Sequence, residues 1–591
     1  MGPASGVAVR PRWATPLALA LVLAAAMVPA VAGGWLVGGN HVLGNAGAGI
    51  HSDLGATWWF YAWVDRALGR GLPLGRSTWT CFPVGESLGN RFANPVDAIL
   101  AVPLTRAWGA YRAAWGVDVA APVLNALAAW IWLRASGAAP LPAVVGAALF
   151  GTSGAVMDEI TGGRPVTALH PWLPLAAAPW VLALRTRSTP LALVGAALAG
   201  LAGTLAFAAY APWLLWVVGG ALVHAGLRSL WPAPGLPRWR ALLVLLLAGL
   251  VLWLSSRGYL ADLRARLPPD MGASTGALLR LQAHPGAVRP DLLHLVQDRS
   301  MVVDWPFRPS DGRGTEIREL PVLVLAPAGL ALLLRPRRSA PWLFGAAAAW
   351  LFTLGPVAMV RLRPEQVPLD LGGFRFRLPV DALLRQLPGI AEHLRPERGS
   401  VVVIAMVGGL LAHALTGMGR GRRARLGQAL AVGVLLVAVG VQAAHRGRQV
   451  PVLEVDPPAI YGQLDALPQE AFLELPLARD AGYGAWQADH GHPLANSVLV
   501  NPSEPAASCM HPTVRALLDM ELRGPAVRRA QLDQAGAAGI RWLVLHPWRY
   551  GPPDPRRLDA AQVQAELESI LGPPDRVVPP DLAWRLGPAA P

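Results

Sequence analysis

The sequence contains no lysine, so that its 51 basic residues are all arginines, and only 15% of its 591 residues carry a charge. The missing lysine is typical of a GC-rich genome and carries no mechanism of its own. The low charge, together with 53% hydrophobic residues and a mean hydropathy of +0.39, excludes a soluble protein of this size. The composition is that of a chain that uses lipid as its solvent.

Two catalytic motifs are also missing from the sequence. There is no Gly-x-x-x-x-Gly-Lys phosphate loop and no Gly-x-Ser-x-Gly turn, so neither ATPase nor α/β-hydrolase chemistry has support. The formal net charge of +14 would favour nucleic-acid binding in a soluble protein. Here the arginines form short clusters beside long apolar runs, so we interpret them as signals of membrane topology and expect no nucleic-acid partner.

Apolar segments long enough, or nearly long enough, to span a bilayer occur along most of the chain. The eleven segments lie at about 14–38, 117–133, 140–157, 166–184, 190–208, 211–227, 241–256, 320–334, 341–360, 399–418 and 427–444. The first segment could be read as a signal peptide. It is longer than the roughly 7–15 residues of a signal-peptide apolar region and reaches the roughly 20 residues of a span, so we expect a retained helix.

The distribution of charge sets the predicted topology. With a cytoplasmic N-terminus, the cytoplasmic connectors contain arginines and no acid; these arginines are Arg134, Arg185, Arg187, Arg228, Arg238, Arg240, Arg335, Arg337, Arg338, Arg420, Arg422, Arg423 and Arg425. All 37 acids lie between residues 53 and 159, between 262 and 319, between 365 and 397, or from 454 onward. Arginine therefore marks the cytoplasmic face, as the positive-inside rule requires.

One apolar segment, at 95–110, does not fit this count as a span. It is short, contains Pro103, and would place the acids at 158–159 in the cytoplasm if it crossed the membrane. We interpret it as a helix that lies in the membrane interface.

The sequence thus predicts an α-helical integral membrane protein of about eleven spans with a small C-terminal α/β domain. Residues 1–444 form the membrane domain, with outside loops at 39–116, 158–165, 257–319 and 361–398, and residues 445–591 form the outside domain. In that domain we expect strands at 472–476 and 540–546 and helices within 512–537 and 559–571. The predicted location is a bacterial inner membrane, with the tail outside the cytoplasm.

Polar residues of the first outside loop stand at the height of the lipid headgroups. Asp53 precedes an aromatic-rich stretch at 56–63 that suits the membrane interface. Further along, the turn-rich run at 81–91 contains Glu86, Asn90 and Arg91. We expect this loop to line a cleft.

The chain resembles the GT-C superfamily of polytopic glycosyltransferases, which use sugars linked to a lipid phosphate. The resemblance spans nearly the whole chain, and its motifs occur in the family's order. They are Ser52-Asp53, Pro83-Val84-Gly85, Gly162-Gly163-Arg164 before Pro171-Trp172-Leu173-Pro174, Arg395-Pro396-Glu397-Arg398, and Gln487-Ala488-Asp489-His490-Gly491-His492-Pro493.

The resemblance implies a role for Asp53 as the first-loop acid, which acts as general base or positions the acceptor and a metal. A carboxylate suits this role because a glycosyl transfer needs a group to accept the acceptor's proton. The alternative is that Asp53 caps the following helix. Ser52 stands where many members have a second acid, so a divalent metal remains an open requirement, and no cofactor is otherwise expected.

A second polar cluster lies in the loop at 158–165 and just beyond it. Glu159 would be a second acid, Arg164 would hold a phosphate oxygen, because guanidinium binds phosphate bidentately, and His170 would contact the substrate. The alternative is an ordinary loop salt bridge. Arg395 and Arg398 have two similar interpretations. They would either bind a phosphate or anchor the late helix by contact with the lipid headgroups.

Histidines and cysteines of the tail suggest two further features. His490 and His492 have a spacing that zinc accepts, with His511 and Cys509 nearby, but no second close-spaced pair of ligands follows, so solvated loop histidines are the default interpretation. Cys81 and Cys509 are the only cysteines, and both are predicted outside, where a disulfide could join them. Two separate buried thiols are the alternative.

These observations predict a glycosyltransferase that takes a sugar from a polyprenyl-phosphate-linked donor at the outer face of the membrane, in contact with membrane lipid. The acceptor would be a lipid, a glycan or a protein. A non-catalytic scaffold with a degenerate GT-C fold and a partner-binding tail is the alternative. An ion-coupled transporter is disfavoured because the predicted spans hold His224 and His413 but no acid near the bilayer midplane.

Overall fold

The structure is a computed structural model of the full chain, and its described residues form two compact units. The described residues are 17–24, 41–43, 52–88, 95–209, 238–266, 336–353, 359–362, 365–368, 370–371, 374–375, 400–418, 422–454, 457–464, 470–477, 483–496, 511–550 and 557–587. The membrane unit comprises Met1–Gly38 and Val117–Val452. The loop–tail unit comprises Gly39–Gly116 and Leu453–Pro591.

Helices dominate the first three quarters of the chain. They are α1 (Ser52–Arg70), α2 (Pro95–Ala135), α3 (Pro140–Gly151), α4 (Gly154–Thr161), α5 (Pro165–Ala168), α6 (Trp172–Arg185), α7 (Thr189–Ala209), α8 (Arg238–Arg266), α9 (Pro336–Thr353), α10 (Ser400–Gly417) and α11 (Arg422–Gln449). Short strands also occur here: β1 (His41–Leu43), β2 (Arg76–Ser77), β3 (Glu86–Ser87), β4 (Met359–Leu362), β5 (Glu365–Pro368), β6 (Asp370–Leu371) and β7 (Phe374–Arg375).

Several of these helices are long and apolar enough to cross a membrane. Within the described residues the candidate spans, by length and composition, are Val96–Ala135, Pro140–Thr161, Thr189–Ala206, Trp239–Gly258 and Ala424–Arg448, with shorter apolar helices at Trp172–Arg185 and Val401–Gly417. The segments predicted at 211–227 and 320–334 lie outside the described residues. The total of eleven spans therefore stays a prediction.

Helix α2 joins the predicted interfacial segment to the predicted span that follows it. Its 41 residues would measure about 60 Å if straight, twice the hydrocarbon thickness of a bilayer. Gly109 interrupts it with φ 83° and ψ 166°, a conformation that glycine adopts without the strain of a Cβ. Two helical arms result, and the interfacial position of the first arm stays a prediction.

Prolines divide or shorten two segments that the sequence pattern predicts as continuous. The predicted span at 166–184 is broken, because α5 ends at Ala168, Leu169 is extended, and α6 begins after Pro171. The predicted span at 341–360 ends at Thr353, three residues before Pro356, and Met359 already belongs to β4. Proline lacks the N–H that a helix interior needs and disfavours helical geometry in the residue before it.

The predicted span at 140–157 is also divided, here by a turn rather than a proline. Helix α3 ends at Gly151, and Thr152 leaves helical geometry while its N–H still bonds the carbonyl of Ala148. Helix α4 then begins at Gly154. This turn brings the acids at 158–159 into a short separate helix.

Helices α3, α9 and α10 pack through glycines in the membrane unit. A Cβ built on Gly408 would lie 2.8 Å from the carbonyl oxygen of Gly146, and one on Gly409 would overlap the ring of Trp342. Such close approach is typical of membrane helices, whose association depends on dispersion contacts rather than on expulsion of water.

We expect Gly409→Ala to destabilise the membrane unit by about 1–3 kcal/mol, because the buried Trp342 ring must move from its packed position. The measurement is the thermal unfolding midpoint of the purified chain in detergent. Gly440→Ala in α11 is the matched control, since a Cβ there meets nothing within 4 Å and alanine favours a helix. Equal midpoints for the two variants would contradict the packing described.

The tail of the loop–tail unit contains a four-stranded sheet with helices against it. The elements are β8 (Val452–Glu454), α12 (Ile460–Leu464), β9 (Ala471–Leu475), α13 (Tyr483–His490), α14 (Pro512–Glu521), α15 (Arg529–Ala537), β10 (Ile540–Leu545), α16 (Ala560–Leu571), β11 (Arg576–Val578) and β12 (Asp581–Arg585). The strand order is β11-β12-β10-β9. Strand β10 is parallel to β9 and antiparallel to β12.

Nearly continuous runs of buried residues form the two parallel strands of this sheet, β9 and β10, and both lie where the sequence pattern predicts strands. Leu473, Leu543 and Trp584 are buried in one core against the helices. The predicted helical region at 512–537 divides into α14 and α15, because Arg523 adopts a positive φ of 58° and the Gly524-Pro525 pair follows it. The sheet therefore presents a continuous apolar face to three short helices rather than two long ones.

Candidate functional site

The membrane unit buries an acid–arginine pair at the junction of α4 and α5. The Glu159 side chain is 1% exposed, and its Oε2 lies 2.8 Å from Nε of Arg164. The same oxygen accepts a hydrogen bond from Oγ1 of Thr167 at 2.6 Å. A turn at Gly163, with φ 68°, lets the Arg164 N–H donate to the Glu159 carbonyl at 2.9 Å. A hydrogen bond from Thr167 and an ion pair with Arg164 thus hold the carboxylate, and the ion pair in turn orients the guanidinium.

A buried asparagine of α2 fixes the chain that follows Arg164. The amide nitrogen of Asn125 donates to the carbonyl of Ala168 at 2.8 Å, and its amide oxygen accepts from the N–H of His170 at 2.7 Å. Asn125 is fully buried, and His170 is 4% exposed. No local pattern in the sequence marks Asn125, because its nearer partner lies 43 residues away along the chain.

The other predicted site residues lie in the loop–tail unit or outside the described residues. Asp53 is the second residue of α1, and Glu86 pairs with Ser77 between β2 and β3; the side chains of both acids lie outside the described part of the chain. The remaining predicted contacts also lie outside it: Asn90, Arg91, Arg395 and Arg398.

The first loop and the tail form one structural unit through backbone hydrogen bonds. The N–H of Cys81 donates to the carbonyl of Asn496 at 3.0 Å, and that of Phe82 donates to Leu494 at 2.9 Å. Leu494 donates back to the carbonyl of Trp79 at 2.8 Å. This ladder joins segments more than 400 residues apart, so the residues at 79–82 act as an additional edge of the tail domain.

A single glutamine on α13 connects the tail to the aromatic helix α1. The Gln487 amide oxygen accepts from Nε1 of Trp59 at 2.7 Å, and its amide nitrogen donates to the carbonyls of Trp79 and His492. Trp59 also stacks on Trp63, with ring centroids 6.2 Å apart. Because Gln487 is fully buried, each of these hydrogen bonds is shielded from water.

We expect Gln487→Met to loosen the first loop from the tail. The thioether keeps the length of the side chain but leaves the buried groups of Trp59, Trp79 and His492 without this partner, at about 1–3 kcal/mol for each group left unpaired. Protease protection of residues 52–88, read by mass spectrometry with the disulfide intact, measures the effect. Gln564→Met is the control, because that half-buried side chain bonds only its helix neighbour Glu568 and should change stability by less than about 0.5 kcal/mol. Equal protection in both variants would argue against this role of Gln487.

Cys81 is disulfide-bonded. The chain's other cysteine, Cys509, lies outside the described residues, so its pairing with Cys81 stays a prediction. The backbone ladder ties the first loop to the tail.

Two of the tail histidines, His490 and His492, are buried rather than solvated. His490 and His492 are 7% and 3% exposed, and His511 accepts a hydrogen bond from the N–H of Thr513 at the start of α14. Among the described residues, no group of three or more His, Cys, Asp or Glu side chains could hold a metal ion.

Comparison with known proteins relates this fold to that of a solved arabinofuranosyltransferase. The sequence matches no family model and none of the curated proteins. Among solved structures, the chain is similar to the arabinofuranosyltransferase AftD from Mycobacteria, with 16% identity and a TM-score of 0.54 over 98% of this chain and 40% of the AftD chain. It also matches the apo oligosaccharyltransferase from Archaeoglobus fulgidus, with 12% identity, a TM-score of 0.49 and coverage of 90% and 69%.

A further match is ArnT from Cupriavidus metallidurans in the apo state, with 13% identity, a TM-score of 0.47 and coverage of 96% of each chain. The AftD likeness confirms the predicted GT-C-like fold. The chain spans about two fifths of the length of AftD.

Proposed function

We propose that the chain is a GT-C-like glycosyltransferase that moves a sugar from a polyprenyl-phosphate-linked donor to a lipid, glycan or protein acceptor at the outer face of the membrane. The observation that carries the proposal is the likeness to an arabinofuranosyltransferase, which extends over 98% of the chain. Fold alone does not define chemistry, so the proposal depends on the roles of particular residues.

In the proposed reaction, Asp53 accepts the proton of the acceptor hydroxyl. The acceptor oxygen then forms a bond to the anomeric carbon of the donor sugar, and the bond between that carbon and the phosphate oxygen breaks. The electron pair leaves with the polyprenyl phosphate. A general base at this step contributes about 10²–10⁴-fold to the rate.

Arg164 contacts the departing phosphate in this proposal. Its Nε is held by Glu159, so the guanidinium is oriented before substrate binds, which limits the entropy lost on binding. Glu159 acts through Arg164 as a positioning residue, and Asn125 supports the same loop. Arg398 is proposed as the second phosphate contact.

The remaining predicted contacts have supporting roles in the same proposal. Glu86, Asn90 and Arg91 of the first loop would contact the sugar or the acceptor, and His170 and Arg395 the donor. The localisation in a bacterial inner membrane, with the loop–tail unit outside the cytoplasm, also belongs to the proposal; it rests on the segregation of arginines and acids along the sequence.

A non-catalytic scaffold is the second candidate function. One observation favours it, because Glu159 and Arg164 already satisfy each other within the chain, as they would in a purely structural loop. Mass analysis of glycolipids in a strain that lacks the gene decides between the two. A glycosyltransferase predicts accumulation of an unmodified acceptor that the wild-type chain restores; an unchanged glycolipid and glycan profile would favour the scaffold.

A further inference from the structure

Three ionisable residues meet at one edge of the tail sheet. Glu474 is the fourth residue of the five-residue strand β9, and His546 directly follows β10. Because β9 and β10 are parallel, their carboxyl ends lie at the same edge. Strand β12 runs antiparallel to β10 and begins at that edge with Asp581. The carboxyl edge of parallel strands is where α/β folds place their functional groups.

A buried chain of hydrogen bonds connects these residues through a tyrosine. The Tyr461 hydroxyl lies 2.8 Å from Oε1 of Glu474 and 3.2 Å from Nε2 of His546. Nδ1 of His546 lies 2.9 Å from Oδ1 of Asp581. Glu474 and His546 are fully buried, and Asp581 and Tyr461 are 2% and 3% exposed.

The chain admits two proton arrangements, because a tyrosine hydroxyl has one proton to donate. When Tyr461 donates to Nε2 of His546, Glu474 is protonated and donates to Tyr461, while the neutral His546 donates through Nδ1 to Asp581. When Tyr461 donates to Glu474, the carboxyl is ionised and His546 carries both ring protons. The two arrangements differ by one proton moved from Glu474 to His546 across two hydrogen bonds.

We propose that Glu474, Tyr461, His546 and Asp581 form a proton relay, a site in the tail whose ligand is a proton that passes between a buried carboxyl and a buried imidazole. Transfer of the Glu474 proton to the Tyr461 oxygen accompanies transfer of the Tyr461 proton to Nε2 of His546, so that no other donor is needed. Asp581 stays an acceptor, since Nε1 of Trp548 also donates to its Oδ1 at 2.9 Å.

The surroundings favour the neutral arrangement near pH 7. Burial raises the pKa of Glu474 to about 8, and the Asp581 charge acts in the same direction, while the Tyr461 hydrogen bond and Arg549 oppose both. Burial lowers the pKa of His546, and the charge of Arg549 acts in the same direction. The hydrogen bond to Asp581 and the Asp581 charge oppose this by raising the pKa. Oε2 of Glu474 is buried with no hydrogen-bond partner among the described residues, which disfavours a carboxylate there.

His490 links the relay to the helix that holds the first loop. Its Nε2 lies 3.8 Å from Oε1 of Glu474, and its Nδ1 accepts from the N–H of His492, so the neutral ring carries its proton on Nε2. Burial holds the pKa of His490 well below its ordinary value, and the neighbouring His492 and His546 add to the effect. His490 is the last residue of α13, one turn after Gln487, so the relay and the first loop contact the same short helix.

The pH dependence of stability separates Glu474 from the neighbouring histidines in one window. The folded pKa of Glu474, about 8, exceeds the ordinary 4.5. Its contribution to the free energy of unfolding is therefore full below pH 4.5 and is lost as the pH rises towards 8. His490 and His546 have lowered pKa values and act in the opposite direction. Their contributions to the free energy of unfolding are full above pH 6.5 and are lost below it. Between about pH 6.5 and 8, we therefore expect the opening equilibrium of the tail to rise up to about tenfold per pH unit.

The test follows protease protection of β9 and β10 in the full-length protein in detergent from pH 6.5 to well above pH 8. Glu474→Gln keeps the shape of the side chain without its titration and should remove the slope. Tyr461→Phe removes the hydrogen bond that stabilises the ionised Glu474, so the slope should continue above pH 8. In the double variant of Glu474→Gln and Tyr461→Phe, the two effects on the slope should not add, because both substitutions act on the same proton.

Tyr550→Phe is the matched control, since the Tyr550 hydroxyl donates to the buried Glu521 at 2.7 Å in the same tail but outside the relay. It should keep the wild-type slope. A wild-type slope in Glu474→Gln, or additive effects of Glu474→Gln and Tyr461→Phe, would overturn the relay. If Glu474→Gln does not fold, the slope of Tyr461→Phe above pH 8 is compared with that of Tyr550→Phe. Equal slopes there overturn the proposal.

Discussion

Asp53→Asn should lower the rate of sugar transfer about 10²–10⁴-fold, because the amide has the shape of the carboxylate but cannot accept the acceptor's proton. The binding of the donor should change little, because Asp53 is proposed to act on the acceptor hydroxyl and the amide keeps the size of the carboxylate. The measurement is single-turnover transfer from a polyprenyl-phosphate sugar to acceptor in reconstituted membranes, with thermal unfolding as a check on folding.

Asp65→Asn provides a control on the same helix. Asp65 pairs with Arg106 at 2.6 Å, with 29% and 57% of the two side chains exposed, so the loss should cost at most about 1 kcal/mol of stability and leave transfer unchanged. Full activity of Asp53→Asn would remove the proposed base. Equal losses in Asp53→Asn and Asp65→Asn would point to a general effect of charge on α1.

Arg164→Lys should weaken transfer by about 10- to 100-fold, mainly through a higher KM for the donor, because the ammonium cannot form the paired hydrogen bonds that guanidinium offers to phosphate. Glu159→Gln should reproduce part of this loss, since it frees the guanidinium that Glu159 orients. It should also cost about 3–5 kcal/mol of stability by leaving Arg164 without its buried counter-charge. Steady-state kinetics and the unfolding midpoint separate these two effects.

Arg106→Lys is the control for this second prediction, because Arg106 also pairs with an acid but lies at the surface. Neither its kinetics nor its stability should change measurably. If Arg164→Lys leaves the KM unchanged while Glu159→Gln destabilises, the pair is structural and the phosphate role is wrong.

The polar residues of the membrane unit illustrate how far local patterns reach. Spacing along the sequence was sufficient to associate Glu159 with Arg164, five residues apart, because a short loop brings such neighbours together whatever the rest of the fold does. Asn125 was missed, although it holds the same loop, because its partners lie on a different helix. Packing of α2 against the Arg164 loop selects Asn125, and a sequence pattern does not encode that choice.

Hydrophobic runs and the segregation of arginines from acids determined by themselves that this is a helical membrane protein with a polar tail, since both follow directly from the cost of placing charge in lipid. Only the tertiary structure decided the rest. It merged residues 79–82 with the tail, and it brought Glu474, His546 and Asp581 to one sheet edge. The physical reason is that strand register and burial are properties of long-range contacts, whereas periodicity reports only on the neighbours of each residue along the chain.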